Sequence, residues 1–304
     1  MIKSRVTLKQ LEAFVQVVER GTFRKAATAL GTTQPNVSAR ISALEATLGV
    51  VLMYRDAGSV RLTDIGEQLL SAARDVIRSG EVFLEVAKRN DLIEDRLRLG
   101  VTEVVACTWL HDFLRAFRLA YPMVKVALEV DLSRDIDRGL TAGHLDLAFQ
   151  TAPFSDEIKT KHAIAQYRYT WLATPQIVHE IGQQPDIAQV FARSVLTHAR
   201  HTSAGRALDE FAESSGYPKA QIVHSNSLAS CLPMAIDGMG VAMLPKVLAR
   251  DALSKGELVE LRCDWAPAAL EVYARYDPRR AAGFILQAVQ IARQVATAFD
   301  DNEK

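Results

Sequence analysis

Each of the first three helical stretches in this sequence begins at a threonine, and the first two end at a glycine. A threonine hydroxyl accepts a hydrogen bond from an unpaired N–H group of the first helical turn, and glycine readily takes the left-handed conformation that ends a helix. The threonines are Thr7, Thr22 and Thr33, and the glycines are Gly21 and Gly31. Three short helices with such brief connections predict a helix-turn-helix unit.

Apolar residues spaced three and four positions apart mark the face that each helix buries. They are Leu8, Leu11, Phe14, Val15 and Val18 in the first helix, Phe23, Ala26, Ala27 and Leu30 in the second, and Val37, Ile41, Leu44 and Leu48 in the third. Val50–Arg55 and Ser59–Leu62 flank Asp56-Ala57-Gly58 and have the pattern of a hairpin. The hairpin would form the wing of a winged helix-turn-helix.

The third helix and the charge distribution both favour DNA binding. Polar residues remain on its outer face near the N-terminal end, where base edges are normally read: Gln34, Asn36, Ser38 and Arg40. Residues 1–62 carry nine Lys/Arg and four Asp/Glu, a net of +5, whereas the rest of the chain carries 27 and 32, a net of −5. A basic end on an acidic body attracts phosphates at that end alone. Similar trihelical units also occur in proteins that bind no DNA, and polar helix faces are usually only solvated.

Thr63–Arg89 has the pattern of one long helix with a second apolar face. Thr63 can cap it, and Asp64 and Glu67 place negative charge in its first turn, where the helix dipole favours it. A heptad seam of apolar residues runs along it: Ile65, Leu69, Ala72, Val76, Phe83 and Val86. Such a helix either packs on its own domain or meets a partner helix, and the length of the seam favours a partner.

From Arg96 onward, strand and helix signals alternate as in a mostly parallel sheet. The first unit is predicted to contain strands at Leu97–Val101, Lys125–Val130 and Leu145–Phe149 and helices at Val104–Ala120 and Arg134–Thr141. The second, beginning near Tyr167, has strands at Trp171–Ala173, Ser194–Thr197 and Gln221–Val223, helices at Ala204–Ser215 and Leu228–Asp237, and a buried strand within 238–245. Leu270–Tyr276 and Ala281–Phe299 return to the first unit. Two lobes joined by two crossings would enclose a hinged cleft.

Ligands of open sheets bind at the carboxyl ends of strands, against helix N-termini. The polar residues at these positions are Thr102, Glu103, Ser133, Gln150 and Thr151 in the first lobe, and His198, His201, Thr202, Ser203, Asn226 and Ser227 in the second. Hydroxyls and helix N-termini favour a small carboxylate, but Glu103 would repel it unless it faces away or pairs with an amine. The same hydroxyls also serve as ordinary helix caps.

Several motifs together resemble those of LysR-type transcriptional regulators. They are Gly21-Thr22-Phe23-Arg24-Lys25-Ala26-Ala27, Gln34-Pro35-Asn36-Val37-Ser38, Leu44-Glu45, Leu48-Gly49 and Arg61-Leu62-Thr63-Asp64-Ile65-Gly66. The resemblance covers the whole chain and implies an α+β multidomain protein. A winged helix-turn-helix (1–62) and a linker and dimerisation helix (63–90) would precede a two-lobed, periplasmic-binding-protein-like (type 2) effector domain (91–304). Its lobe I would comprise about 96–166 and 268–304, and lobe II about 167–267.

The resemblance also implies partners and contacts. Promoter DNA, a small-molecule effector (an organic, amino or aromatic acid), RNA polymerase and a homodimer that assembles to a homotetramer are expected, with activator and repressor roles both open. Gln34, Pro35 and Ser38 would contact base edges, and Thr22, Thr33 and Arg55 would contact phosphates, with Asn36 and Arg40 beside them. Ala39 stands where the family commonly has a base-contacting arginine, and the wing tip has no additional arginine. Specificity would therefore depend more than usual on DNA shape.

Other classes find less support in the sequence. Cys107, Cys231 and Cys263 form no Cys-x-x-Cys pair and have the pattern of buried, reduced thiols in a cytoplasmic protein, with a redox role left open. No apolar run approaches the ~20 residues of a membrane span. No P-loop, nucleophile elbow or dinucleotide fingerprint is present, and His198-x-x-His201 lacks the spacing of a helical zinc pair, so no cofactor, metal or enzyme activity is expected. A DNA-architectural protein without an effector would leave the predicted cleft without a purpose.

Overall fold

The computed structural model describes the backbone of residues 6–56 and 59–301 and the side chains of 6–54 and 60–300. It divides into two compact units. The first runs to Ile93 and includes Ala282–Phe284, and the second comprises the remainder. None of the helices in the described ranges has the length and apolarity that a membrane-spanning segment requires.

The first unit is a winged helix-turn-helix followed by a long helix. Its elements are α1 (Leu8–Arg20), α2 (Phe23–Ala29), α3 (Gln34–Leu48), β1 (Met53–Asp56), β2 (Ser59–Leu62) and α4 (Asp64–Val86). The two strands pair antiparallel, with Met53 opposite Leu62, so β1 begins three residues later than the sequence predicts. The predicted apolar faces of α1–α3 converge in one core that includes Phe14, Ala26 and Ile41, except that Leu8 and Leu48 are exposed.

Three of the four threonine caps predicted in this unit are confirmed, whereas Thr7 precedes α1 but its hydroxyl donates to the side chain of Gln10 at 3.2 Å. The hydroxyl oxygens of Thr22, Thr33 and Thr63 accept hydrogen bonds from the N–H groups of the third residue after each, at 3.2, 3.4 and 3.0 Å. Gly21 ends α1 with a φ of 73°, in the left-handed region. Gly66 allows α4 to approach the wing, because a Cβ there would lie 2.0 Å from the carbonyl oxygen of Leu52.

The second unit contains two five-stranded sheets. One has the order β4-β3-β5-β12-β6 and is formed by β3 (Arg96–Val101), β4 (Lys125–Val130), β5 (Leu147–Thr151), β6 (His162–Tyr167) and β12 (Leu270–Arg275). The other has the order β11-β7-β10-β8-β9 and is formed by β7 (Tyr169–Ala173), β8 (Val195–His198), β9 (Ile222–Ser225), β10 (Val241–Pro245) and β11 (Val259–Leu261). We refer to the parts built on these sheets as lobe I and lobe II. The chain passes from lobe I to lobe II after β6 and returns before β12.

Helices connect the strands of both lobes. They are α5 (Glu103–Ala106), α6 (Leu110–Ala120), α7 (Ser133–Thr141), α8 (Pro175–Ile181), α9 (Ile187–Phe191), α10 (Ser203–Ser214), α11 (Leu228–Ile236), α12 (Arg250–Ser254) and α13 (Phe284–Asp301). Most predicted boundaries agree within three residues. The pattern did not predict β6, β11, α8, α9 or α12, which are short and lack a complete periodic repeat.

Two predictions for this unit are wrong. The single helix expected over 104–120 is two helices, because the N–H of Thr108 bonds to the carbonyl of Val105 in a tighter turn, and Trp109 beyond it is fully buried. The sheets are mixed rather than mostly parallel. In lobe I, β12 re-enters from lobe II and pairs antiparallel with both β5 and β6.

Candidate functional site

A cavity of about 630 Å³ lies between the two lobes, at the carboxyl ends of their strands. Lobe I supplies residues that follow β3, β4 and β5, and lobe II supplies residues that follow β8 and β9. The lining comprises Thr102, Glu103, Val104, Val130, Asp131, Leu132, Ser133, Arg134, Asp137, Arg138, Thr151, Ala152, Pro153, Phe154, Ser155, His198, His201, Thr202, Arg206, Asn226, Leu228 and Leu270. This is the position that the strand order predicts for a ligand.

The cavity brings together most of the residues expected there. The expected residues that line it are Thr102, Glu103, Ser133, Thr151, His198, His201, Thr202 and Asn226. The expected residues that do not line it are Gln150, Ser203 and Ser227. Gln150 is fully buried beside Asp137, because its side chain points from β5 into lobe I. Ser227 caps α11, and its hydroxyl accepts a hydrogen bond from the N–H of Ser230 at 3.2 Å.

Several expected hydroxyls are already bonded within the chain. Thr202 Oγ1 accepts from the N–H of Gly205 at 3.1 Å and donates to the carbonyl of Ala199 at 2.7 Å, so it caps α10. Ser133 Oγ and Thr151 Oγ1 lie 2.8 Å apart and bond to each other. These hydroxyls form part of the cavity wall, but their hydrogen bonds are made mainly within the chain.

Four buried polar atoms on the cavity wall have no hydrogen-bond partner within the described part of the chain. They are Thr102 Oγ1, Ser155 Oγ, His198 Nε2 and His201 Nε2. Nearly all buried polar atoms in folded proteins are paired, and leaving one unpaired costs about 1–3 kcal/mol. Two hydroxyls and two imidazoles of residues that line the cavity therefore have unused hydrogen-bonding capacity.

Glu103 does not turn away from the cavity, and it pairs with no amine of the described residues. Its carboxylate crosses from lobe I to the N-terminus of α11 in lobe II, where it accepts hydrogen bonds from Ser227 Oγ at 2.8 Å, the N–H of Ala229 at 3.3 Å and the N–H of Leu228. The positive end of the helix dipole stabilises a carboxylate at this position. Glu103 thus bonds the two lobes together and also borders the cavity.

Burial sets the charge state of one imidazole in the cavity. Burial lowers the pKa of His198, the negative charge of Glu103 opposes the shift and the neighbouring His201 adds to it, so that the pKa is about 4. His198 is therefore neutral near pH 7. A neutral imidazole offers one N–H donor and one nitrogen acceptor.

Asp137, which lines the cavity in lobe I, belongs to a buried ion pair. Arg275, with only 1% of its side chain exposed, bonds to the carboxylate of Asp137. Its guanidinium also donates to the carbonyl of Ser155 at 2.8 Å and lies 4.1 Å from the centre of the Phe154 ring. One arginine therefore positions the loop that carries Phe154 and Ser155.

The loop after β5 and α10 contributes residues that the sequence analysis missed. Phe154 and Ser155 belong to that loop, and Arg206 belongs to the second turn of α10. Ala152-Pro153 marks a turn in the sequence, but nothing local shows that the next residues reach a ligand. Arg206 could have been predicted from the sequence, because it lies four residues after the predicted cap Thr202.

The N-terminal end of α3 presents most of its expected polar residues to solvent. Gln34, Pro35 and Asn36 are exposed, whereas Ser38 and Arg40 are half-buried. The centre of the outer face consists of small residues at helical spacing that the sequence analysis did not single out: Ala39, Ser42, Ala43 and Ala46. A face of small side chains permits close approach to the floor of a groove.

Two of the three residues expected to contact phosphates have described side chains. Thr22 and Thr33 cap α2 and α3 as acceptors, and each hydroxyl keeps its hydrogen for donation to an anion. The side chain of Arg55 lies outside the described residues. Arg24 and Lys25 are exposed on α2 and add positive charge beside this surface.

Helix α4 has two apolar faces. Leu70, Ala73 and Ile77 pack into the core of the first unit. The heptad seam lies on an adjoining face, where Ile65, Ala72, Val76, Phe83 and Val86 are exposed, with exposed fractions of 72% for Phe83 and 79% for Val86. Leu69 is half-buried against the unit's own core, so the expectation that it belongs wholly to a dimer seam needs correction.

The three cysteines are free thiols, but the expectation that all three are buried is wrong, because Cys231 is buried, Cys263 is half-buried and Cys107 is exposed. Burial raises the pKa of all three, and that of Cys263 reaches about 11, with a contribution from Asp264. Because the thiolate is the reactive form, the shifts disfavour nucleophilic or redox chemistry. Among the described residues, no group of three or more His, Cys, Asp or Glu side chains is arranged to hold a metal ion.

Two family models match the chain. The model described as "Bacterial regulatory helix-turn-helix protein, lysR family" matches residues 8–67, and the model described as "LysR substrate binding domain" matches residues 90–295. A probable hydrogen peroxide-inducible genes activator from Streptomyces viridosporus is 30% identical over 243 residues, which cover 79% of this chain and 77% of that protein.

Two solved structures are similar over nearly their whole length. ArgP from Mycobacterium tuberculosis has a TM-score of 0.61 at 23% identity, covering 95% of this chain and 97% of that one. Full-length CbnR in complex with its target DNA has a TM-score of 0.53 at 22% identity, covering 95% of this chain and 99% of that one. At such identities these structures establish the fold alone.

Proposed function

The chain belongs to the LysR family of bacterial transcriptional regulators, and we propose that a small-molecule effector bound between lobes I and II controls how it acts on promoter DNA. The relatives it matches are transcriptional regulators rather than enzymes. The observation that carries the proposal is the set of four unpaired buried polar atoms around one cavity, contributed by both lobes. Such a site fits a small ligand better than it fits a purely architectural protein.

We infer that the effector is a small organic, amino or aromatic acid. Three arginines, Arg134, Arg138 and Arg206, line the cavity and are exposed enough to meet a carboxylate at its mouth. A ligand that touches both lobes would favour one lobe arrangement over another. Its effect on transcription cannot exceed the difference between its affinities for the two arrangements.

We further propose that the protein acts as a homodimer that assembles to a homotetramer and engages RNA polymerase at its promoters. The exposed seam of α4 supports a paired helix, and a dimer presents two reading heads to a DNA site with dyad symmetry. A regulator of chromosomal promoters works in the cytoplasm. Activation and repression are both compatible with this arrangement.

Replacing Thr102 with valine should weaken binding of the effector by about two- to tenfold, the effect of losing one hydrogen bond worth ~0.5–1.5 kcal/mol. Thr102 Oγ1 is buried and without a partner in the described structure, and valine has nearly the same shape. A thermal-shift screen of carboxylates and amino acids on the full chain would identify a compound, and calorimetry would give its affinity for parent and variant.

Thr108→Val is the matched control, because the Thr108 hydroxyl bonds to the carbonyl of Val104 at 2.7 Å and does not line the cavity. It should leave the affinity unchanged. Equal affinities for parent and Thr102→Val would place the effector elsewhere. If no small molecule raised the melting temperature, the architectural alternative would gain support.

We propose that Gln34, Pro35, Asn36, Ser38 and Arg40 read the DNA while Thr22, Thr33 and Arg55 hold its phosphates. Replacing Gln34 with alanine should reduce discrimination between operator and unrelated DNA by about 1–3 kcal/mol, the usual effect of a lost bidentate base contact. Gln34 is exposed, so folding should persist. Gel-shift titrations on both DNAs would measure the ratio, and an unchanged ratio would remove Gln34 from the base contacts.

A further inference from the structure

Glu103 places a negative charge on the inner wall of the cavity. Its carboxylate receives three hydrogen bonds at the N-terminus of α11, from one hydroxyl and two backbone N–H groups. A carboxylate offers about four lone-pair sites, so one direction is left for a further donor. None of these three donors carries a formal positive charge.

No other charged group of the described cavity wall cancels Glu103. Asp137 is paired with Arg275, so that pair is neutral as a whole. Among the described residues, no lysine or arginine forms an ion pair with Glu103. The cationic side chains of the lining are exposed: Arg138 and Arg134 lie 2.9 and 3.9 Å from the carboxylate of Asp135, and Arg206 donates to the carbonyl of His201 at 3.4 Å. The charge of Glu103 is therefore offset by the dipole of α11 and not by a lysine or arginine of the described residues.

The unpaired atoms on the cavity wall can all accept hydrogen bonds. The hydroxyls of Thr102 and Ser155 have free lone pairs, and a neutral imidazole such as His198 has one acceptor nitrogen. Burial keeps His198 neutral, with a pKa of about 4, so it adds no positive charge to the wall. Hydroxyls and imidazoles can equally donate, and the charge of Glu103 therefore decides which ligand group fits best.

We propose, on the basis of the proposed function, that the effector carries a primary amine and that its ammonium group binds at the inner wall against Glu103, Thr102 and the two histidines. An ammonium group supplies three N–H donors and the missing positive charge. A carboxylate in the same position would lie next to a second carboxylate in a partly desolvated cavity. In an amino acid, the carboxylate would face the arginines at the mouth.

The test compares amines with their deaminated counterparts on the full-length protein. The probes are the proteinogenic L-amino acids, the N-acetyl derivative of each, and the carboxylic acid that lacks its amino group. Thermal shift would find the binders, and calorimetry would give their Kd values. We expect at least one free amino acid to bind, and its deaminated and N-acetyl forms to bind at least tenfold more weakly.

The variant Glu103→Gln tests the role of the charge. Glutamine keeps one acceptor oxygen for the α11 N-terminus but loses the negative charge. We expect the preference for the amine over its deaminated counterpart to fall at least tenfold, with operator binding retained in a gel shift. Glu257→Gln, an exposed carboxylate outside the cavity, is the matched control and should keep the preference.

Three results would overturn the proposal. If the parent binds only acids without an amine, an effector site exists but the amine assignment is wrong, and the proposed function stands. If Glu103→Gln leaves the amine preference intact, the effector is an amine but Glu103 does not bind its ammonium group, and the proposal is overturned at that contact. If no probe binds the parent, the amine proposal fails, while the operator gel shift still reports separately on DNA binding. The comparison on the parent alone remains decisive if the variant does not fold.

Discussion

Replacing Arg275 with methionine should lower the free energy of unfolding of the second unit by about 3–5 kcal/mol, the usual effect of breaking a buried ion pair by removing one partner. Arg275 and Asp137 have side-chain exposures of 1% and 9%. Without the guanidinium, the Asp137 carboxylate stays buried, with the N–H of Ser155 at 2.8 Å as its main remaining donor. Methionine fills similar space but supplies no donor.

Urea unfolding followed by circular dichroism would measure this effect. Arg279→Met is the control, because Arg279 also pairs with an aspartate, Asp277, but its side chain is 80% exposed. Asp277 is itself buried but keeps Arg280 at 3.1 Å as a second cationic partner, so the control should unfold near the urea concentration of the parent. Adding Asp137→Leu to Arg275→Met should restore part of the loss, since no charge is then buried alone. A midpoint equal to the parent's for Arg275→Met would show that the pair contributes nothing.

The same substitution should disturb the cavity. Arg275 donates to the carbonyl of Ser155, the residue whose hydroxyl is unpaired on the cavity wall. We therefore expect the Arg275→Met variant to bind the effector more weakly than the parent does, at temperatures where the variant remains folded. The arginine acts there as a positioning residue.

Replacing Phe83 with glutamate should dissociate the dimer and weaken binding to a dyad operator by about 100- to 10,000-fold, the range by which linking two binding modules raises avidity. Phe83 is 72% exposed in the single chain and lies on the α4 seam with Val76 and Val86. In a paired helix the seam would be dry, and a carboxylate there would be buried without a partner. Binding to a single half-site should change little.

Light scattering would give the oligomeric state, and gel shifts on full and half operators would give the affinities. Ser71→Glu is the matched control, because it adds the same charge to an exposed position on another face of α4. It should leave both measurements unchanged. An unaltered oligomer in Phe83→Glu would show that the seam of α4 is not the dimer contact, and Leu69 would then serve only the unit's own core.

The N-terminal unit was largely predictable because its determinants are local. Thr22, Thr33 and Thr63 cap helices through N–H groups three residues away, so a short window of sequence contains both partners. The apolar faces of α1–α3 follow the same short-range periodicity. The break at Thr108 was missed because the burial of Trp109 between two helices depends on the tertiary core.

The cavity was predictable in position but not in its hydrogen bonding. Strand ends identified Thr102, Ser133 and His201, since a parallel strand always delivers the residue after it to the same edge. Which hydroxyls are vacant depends on partners far away in the chain. Thr102 is unpaired, whereas Ser133 bonds to Thr151 from a neighbouring strand.

The sequence by itself determined the family, the helix-turn-helix, the seam of α4 and the alternation of strands and helices, because each of these depends on residues within a few turns of one another. Only the tertiary structure decided the roles of Glu103 and Arg275. Glu103 bonds to Ser227, 124 residues away, and Arg275 bonds to Asp137, 138 residues away. Contacts over such separations carry no local periodicity, and they become apparent only when the sheets bring distant strand ends together.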